Sequence, residues 1–344
     1  MQAQKIVRKI ATCNGAIRGI LLLGLTIILF IALFGLISTS ALANGWHGKR
    51  VCSKTASAAF LACRNEVKDD YWIAMGNCYN LSKKNKQAVC FETAKEEYND
   101  AKAECGDQLD ARKELCEELG EAPYDPKIKP EKFVEPEDIG SSVAANPYFP
   151  LVEGNKWVYK GVGETVTVTV TEETIEILGV TCRVVKDVVT DEDGEEVENT
   201  DDWYAQDEDG NVWYFGEFSL AKEECEPEEL CEGLCNNDGS WKAGYASAKP
   251  GYLVKRFPEV DDIYRQEFAL GDAEDWAKVL SVDAVADVMG FSCVEGDKCV
   301  QTEEGTPLEP DFSEHKYYKP GIGLILEVNP DTGERVELVS VSGP

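Results

Sequence analysis

The chain has 344 residues and a formal net charge of −30, with 64 acidic against 34 basic side chains. That length allows two or three domains with cores of their own. So negative a surface repels DNA, RNA and anionic lipid headgroups and attracts cations or basic partners.

The first 43 residues carry Lys5, Arg8, Lys9 and Arg18 and no acid. An apolar run from Ile20 to Ile37 follows, then Ala41-Leu42-Ala43 before Asn44. A basic start, an apolar stretch and a small-x-small site make residues 1–43 a secretory signal peptide. The same run, if retained, is just long enough to anchor the chain in a membrane. Removal of the four cations takes the net charge to −34 and removes Cys13, leaving twelve cysteines. In an exported chain an even set of that size reads as disulfides. Neither Cys-x-x-Cys nor Cys-x-x-Cys-His occurs, so zinc ribbons, thioredoxin-type redox and c-type haem have no support.

Residues 48–121 read as a helical hairpin. Cys52, Cys63, Cys78, Cys90, Cys105 and Cys116 are spaced 11, 15, 12, 15 and 11 apart, a mirror pattern centred on Lys84. Apolar or small residues recur in steps of three and four on both arms, and no proline falls between Val51 and Glu121, which is the helical period. Three nested disulfides, 52–116, 63–105 and 78–90, would then cross the pair as rungs. A bridge needs Cα atoms within about 7 Å, and Ala56, Ala59, Ala94 and Ala101 are small enough to allow it. Gly120 and Pro123 end the second helix. Residues 122–147 hold Pro123, Pro126, Pro130, Pro136 and Pro147 and no sustained period. They read as an extended, semi-rigid connector.

From residue 148 to 344 the period becomes two. Glu164–Ile177 alternates almost perfectly, and Val180–Val189 is β-branched and mostly apolar. Asp202–Asp207 and Asn211–Phe215 flank a Gly-bearing turn, a hairpin signal. Further strand candidates are Gly239–Val254, Ile263–Leu270, Val279–Val285, Lys316–Tyr318, Gly321–Glu327 and Arg335–Val341. The fold class is therefore α+β: a disulfide-stapled antiparallel α-hairpin followed by a mainly antiparallel β sandwich or open barrel.

Two patches in this region, Asn155-Lys156-Trp157-Val158-Tyr159 and Tyr317-Tyr318-Lys319-Pro320-Gly321-Ile322-Gly323-Leu324, with the hairpin Asp202–Gly216 between them, resemble exported bacterial β-domain proteins of unassigned function. The resemblance covers about residues 147–341. It implies an exported β fold and no particular activity.

Six cysteines lie in the β region. Cys293 and Cys299 flank a turn and pair as a hairpin staple, whereas Cys182, Cys225, Cys231 and Cys235 allow three pairings. Acidic Asp-Gly turns offer weak calcium candidates, Asp191 and Asp193 in one and Asp207 and Asp209 in another, since alternating oxygen ligands suit a hard cation. Turn chemistry explains the same residues. Tryptophans 157, 203, 213, 241 and 276 beside carboxylates raise glycan binding or a glycan-active hydrolase. With no Gly-x-Ser-x-Gly and only His47 and His315 in the chain, nucleophilic catalysis lacks its usual parts. The reading is of an exported, non-enzymatic structural or binding protein, with a rigid helical arm and a β-rich binding or assembly module. Its alternatives are the glycan hydrolase and a small-ligand carrier. No nucleic acid is expected as partner; a protein of the envelope or extracellular space is, or a glycan, and a membrane only through a retained residue 20–37 segment. No cofactor is expected beyond calcium.

Overall fold

The structure, a computed structural model, describes residues 50–222 and 233–343. The expected signal peptide at residues 1–43, Cys225, Cys231 and the side chain of Cys235 lie outside the described residues.

Helices α1 (Val51–Tyr79) and α2 (Lys84–Leu119) run antiparallel as a hairpin. Cys52–Cys116, Cys63–Cys105 and Cys78–Cys90 cross it with Cα separations of 5.6, 5.9 and 5.5 Å. Ala56, Ala59, Val67, Ala94, Cys105 and Leu115 are buried along the seam. Most of those side chains are small, so the backbones approach closely enough for bridging but bury little apolar area. Covalent links substitute for the missing core. At the open end, the Val51 N–H donates to the Glu121 carbonyl at 3.0 Å and the Ser53 N–H to the Glu121 carboxylate at 3.0 Å.

The proline-rich segment lies against the β body. The Tyr124 hydroxyl donates to the Pro250 carbonyl at 2.8 Å and the Val134 N–H to the Gln206 carbonyl at 2.9 Å. The Phe133 ring meets Trp213 and Phe215 edge-on. Ile139 and Asn146 are buried. The connector is thus a strap, ordered because its polar backbone and aromatic side chains find partners on the wall beneath.

Fifteen strands follow among the described residues: β1 (Lys156–Lys160), β2 (Glu164–Ile177), β3 (Val180–Asp191), β4 (Glu196–Gln206), β5 (Val212–Lys222), β6 (Leu234–Asn236), β7 (Trp241–Lys242), β8 (Lys249–Val254), β9 (Ile263–Arg265), β10 (Glu267–Phe268), β11 (Trp276–Ser281), β12 (Val300–Gly305), β13 (Ser313–Lys319), β14 (Gly323–Val328) and β15 (Arg335–Ser342). They form one antiparallel sheet in the order β10-β8-β5-β4-β3-β2-β1-β15-β14-β13-β12-β11-β9, with β6 and β7 also on β5. The two ends of that path, β9 and β10, are halves of one stretch bent at Gln266, so the sheet curls round until it is nearly closed. Gly251 makes this seam fit. A Cβ there would lie 2.2 Å from the Arg265 carbonyl oxygen and 2.7 Å from that of Gln266.

Several strand limits differ from the sequence expectation. Gly239–Val254 divides at a turn around Gly244 into β7 and β8, and Ile263–Leu270 divides at Gln266. The strand expected at Val279–Val285 is β11, Trp276–Ser281. Strand β12 was not expected, because the buried positions of Val300–Gly305 include Thr302 and Glu304 and so break the apolar alternation.

Cys293–Cys299 bridges its turn at a Cα separation of 6.2 Å. Cys182 is a free, buried thiol, which corrects the expectation that it joins a disulfide. It sits on β3 opposite Ile175, fully buried among apolar neighbours. Four disulfides among the described residues fit an extracellular or periplasmic setting, where thiols oxidise and stay oxidised.

Candidate functional site: the acidic interior of the barrel

Alternation along the strands fills the barrel with two kinds of side chain. Val166, Val168, Val185 and Leu324 supply apolar wall, while Glu164, Asp187, Glu198, Asp202, Glu217 and Glu327 supply carboxyl groups. Between them is a cavity of about 90 Å³, also lined by Tyr159, Tyr204, Tyr318 and Lys316. At roughly 10–15 Å³ per water, that is room for several waters or one small solute. Among the described residues, six carboxyl groups therefore share a cavity with one basic side chain.

Register explains the crowding. Asp202 on β4 is paired with Glu217 on β5 and with Val185 on β3. Directly opposed side chains have Cβ atoms only about 5 Å apart, so two ionised carboxylates there would repel. Burial, with Glu217 and Asp187 nearby, holds the Asp202 carboxyl well above the usual carboxylate range. The Tyr214 hydroxyl donates to Asp202 Oδ1 at 2.5 Å. Asp187, two residues beyond Val185 on the same face of β3, is pushed up to about 7 by burial and then by Glu198, Glu327 and Glu164. Its Oδ1 is buried with no hydrogen-bond partner. Glu164 is raised for the same first reason, burial.

On the opposite wall, Lys316 Nζ lies 3.1 Å from Glu304, 3.5 Å from Glu314 and 3.9 Å from Glu327. Burial alone would favour the neutral amine, but these carboxylates outweigh it and keep Lys316 protonated beyond its ordinary range. Glu304 is fixed in turn by Thr302 at 2.7 Å, Tyr318 at 2.9 Å and Gln266 at 3.0 Å, all donating to it. An alkylammonium inside this barrel is thus already held by carboxylates. The β3–β4–β5 wall carries acids of the same type with no lysine or arginine among the cavity-lining residues of those strands.

The residues singled out from sequence lie elsewhere. Asp191 Oδ1 accepts from the Asp193 and Glu195 N–H groups at 3.0 and 2.9 Å. Asp207 accepts from Asn211 N–H at 2.8 Å, and from Asn211 Nδ2 and Trp213 Nε1, both at 2.9 Å. Both carboxylates cap turns, with Gly194 and Gly210 at positive φ beside them, while Asp193 and Asp209 are exposed. The two turns sit at opposite ends of the 11-residue β4, about 35 Å apart at 3.3 Å per residue, and cannot share an ion. No cluster of three metal-ligating side chains occurs among the described residues. The five tryptophans form no common platform: Trp157 is buried, donating to the Ile322 carbonyl at 2.7 Å, and none of the five lines the cavity.

The interior acids were missed because alternation alone does not say which face of a strand is enclosed. One signal was available. Asp187 interrupts the apolar run of β3, and an acid among β-branched residues on a central strand calls for an explanation.

No family model matches the chain, and no curated protein matches it. A solved structure, a candidate exported protein with a YmcC-like fold from Bacteroides fragilis, is similar at 12% identity and a TM-score of 0.32, over 58% of this chain and 100% of that one.

Proposed function

We propose that this is an exported binding protein whose barrel holds a small organic cation, such as an amine or guanidine, against the acids of β3, β4 and β5, with the hairpin as a rigid arm. The observation that carries the reading is the cavity itself, with Asp187 turned toward it and one Asp187 oxygen buried without a donor. An ammonium group would supply that donor. It would also allow Asp202 to ionise beside Glu217, a charge pair that burial and mutual repulsion otherwise disfavour. Because Asp187 is half-protonated near pH 7, cation entry displaces a proton, so affinity rises as pH rises through that value.

Calorimetric titration with methylamine, guanidine and 1,4-diaminobutane, in buffers of differing ionisation enthalpy, tests this. The expected result is binding with proton release, weaker by about thirtyfold at pH 5.5 than at pH 8, and lost in Asp187→Asn/Glu217→Gln. Absence of binding by every cation in the series, in a protein shown by circular dichroism to be folded, would overturn it.

A further inference from the structure

The distal end of the hairpin combines an acid-free, lysine-bearing stretch with a group of exposed large apolar side chains. Of the chain's 64 acids, none falls within the 21 residues Tyr71–Phe91, while Lys83, Lys84 and Lys86 cluster there. All three lysines are exposed, and none has a carboxylate partner among the described residues. Lys84 and Lys86 stand in the first turn of α2, where no acid is present. Cations at a helix N-terminus oppose the helix dipole, so they weaken the element that carries them.

Large apolar side chains are exposed beside them. Trp72 is 60% exposed, Ile73 57%, Tyr79 67% and Val89 63%. Trp72 and Tyr79 are seven residues apart, hence on one face of α1, and Tyr79 meets Phe91 of α2 edge-on at 4.9 Å. Beyond the Tyr79–Phe91 contact, the cluster is not needed to close the hairpin. Cys78–Cys90 already closes this end covalently, and the contacts that hold α2 to the barrel, Arg112 with Glu274 and Gln108 with the Leu308 carbonyl, lie near its other end. From Lys84 to Arg112 is about 42 Å of helix at 1.5 Å per residue.

We infer that the hairpin tip is a docking surface for an anionic lipid bilayer, with Trp72, Ile73, Tyr79 and Val89 entering the interfacial region and the three lysines pairing with lipid phosphates. The composition is that of interfacial membrane contact: aromatic rings with a polar edge, aliphatic side chains, and lysines whose charge faces an anionic surface. Charge complementarity selects this occupant. The chain as a whole repels anionic headgroups, but charges are screened beyond about 8–10 Å at physiological salt. At several times that distance the acidic barrel does not oppose contact at the tip. A rod is also what would hold an acidic barrel away from a surface of like charge.

The test uses the chain from Asn44 to Pro344, which keeps every described residue. Co-sedimentation with vesicles of phosphatidylcholine alone and of phosphatidylcholine mixed with phosphatidylglycerol should show binding to the mixed vesicles at least about tenfold stronger, falling with added salt. Trp72→Ser/Ile73→Ser and Lys83→Glu/Lys84→Glu/Lys86→Glu should each lower it by at least about tenfold with helicity unchanged. Brominated lipid should quench wild-type fluorescence more than that of Trp72→Phe. The inference is overturned if mixed vesicles fail to bind the wild type, if neutral vesicles bind it equally, or if both variants bind undiminished. It is also overturned if the tip instead joins two copies of the chain, seen as a concentration-dependent dimer that Trp72→Ser abolishes without any vesicle binding.

Discussion

Asp187 shows how one buried side chain sets a pH response. Its folded-state pKa of about 7 lies above the 3.8 of an ordinary aspartate, so between those values the folded protein holds a proton that the unfolded chain has released. Stability from this group is therefore full below about pH 4 and is lost as pH rises through 7. The upper bound from the shift is about 4 kcal/mol at 1.36 kcal/mol per unit, reduced by water in the cavity. Asp187→Asn should raise the melting temperature at pH 8 by an amount equivalent to about 1–3 kcal/mol. The gain should vanish near pH 5, as differential scanning calorimetry at the two pH values would show. A melting temperature independent of pH in the wild type would contradict the assignment. Cys182 has a similar lesson in it. An even count of cysteines in an exported chain suggested complete pairing, yet parity carries no information about which thiol is walled into an apolar core.

Among the elements, the hairpin was the most legible. Its mirror spacing, its period and its proline-free run all describe one object, and α1 and α2 fill the span that they mark out. The strands with an apolar inner face were legible too: β2 runs from Glu164 to Ile177 as its alternation indicates. Strand β12 was not, because its inward positions carry Thr302 and Glu304 for Lys316 rather than apolar side chains for a core. The strap at residues 122–147 was opaque for another reason: its order comes from partners 60 or more residues away, which local composition does not contain. Since the arms bury mostly alanine and cysteine, the hairpin depends on its rungs. Replacing Cys63 and Cys105 together with serine should cost about 2–4 kcal/mol. The loss should appear in urea titrations followed at 222 nm as an earlier helical transition, with near-ultraviolet signals of the barrel unchanged.

For the whole molecule, the question is what joins arm to barrel and barrel to itself. Arg112 of α2 donates to Glu274 at 2.6 and 3.1 Å, both side chains being almost wholly buried, and Glu274 also accepts from the Gly271 N–H at 2.9 Å. Arg112→Ala would leave an uncompensated carboxylate there, at about 3–5 kcal/mol. Arg112→Met with Glu274→Leu should recover most of it, by thermal melts of both variants. At the seam, Gly251→Ala must displace backbone rather than a flexible side-chain tip. A loss of about 2–4 kcal/mol is expected, with increased amide exchange in β8 and β10 as the mark of a loosened closure. The position of β15 bears on timing. It is the last strand in sequence, yet it lies between β1 and β14, so its first neighbour was synthesised about 180 residues before it. Until β15 emerges, the ring has a gap between β1 and β14, with unpaired backbone on both sides and a half-exposed acidic lining. A chain secreted in an extended state could thread a narrow translocation channel and assemble only afterwards, when the C-terminal strand zips the two halves together on the far side.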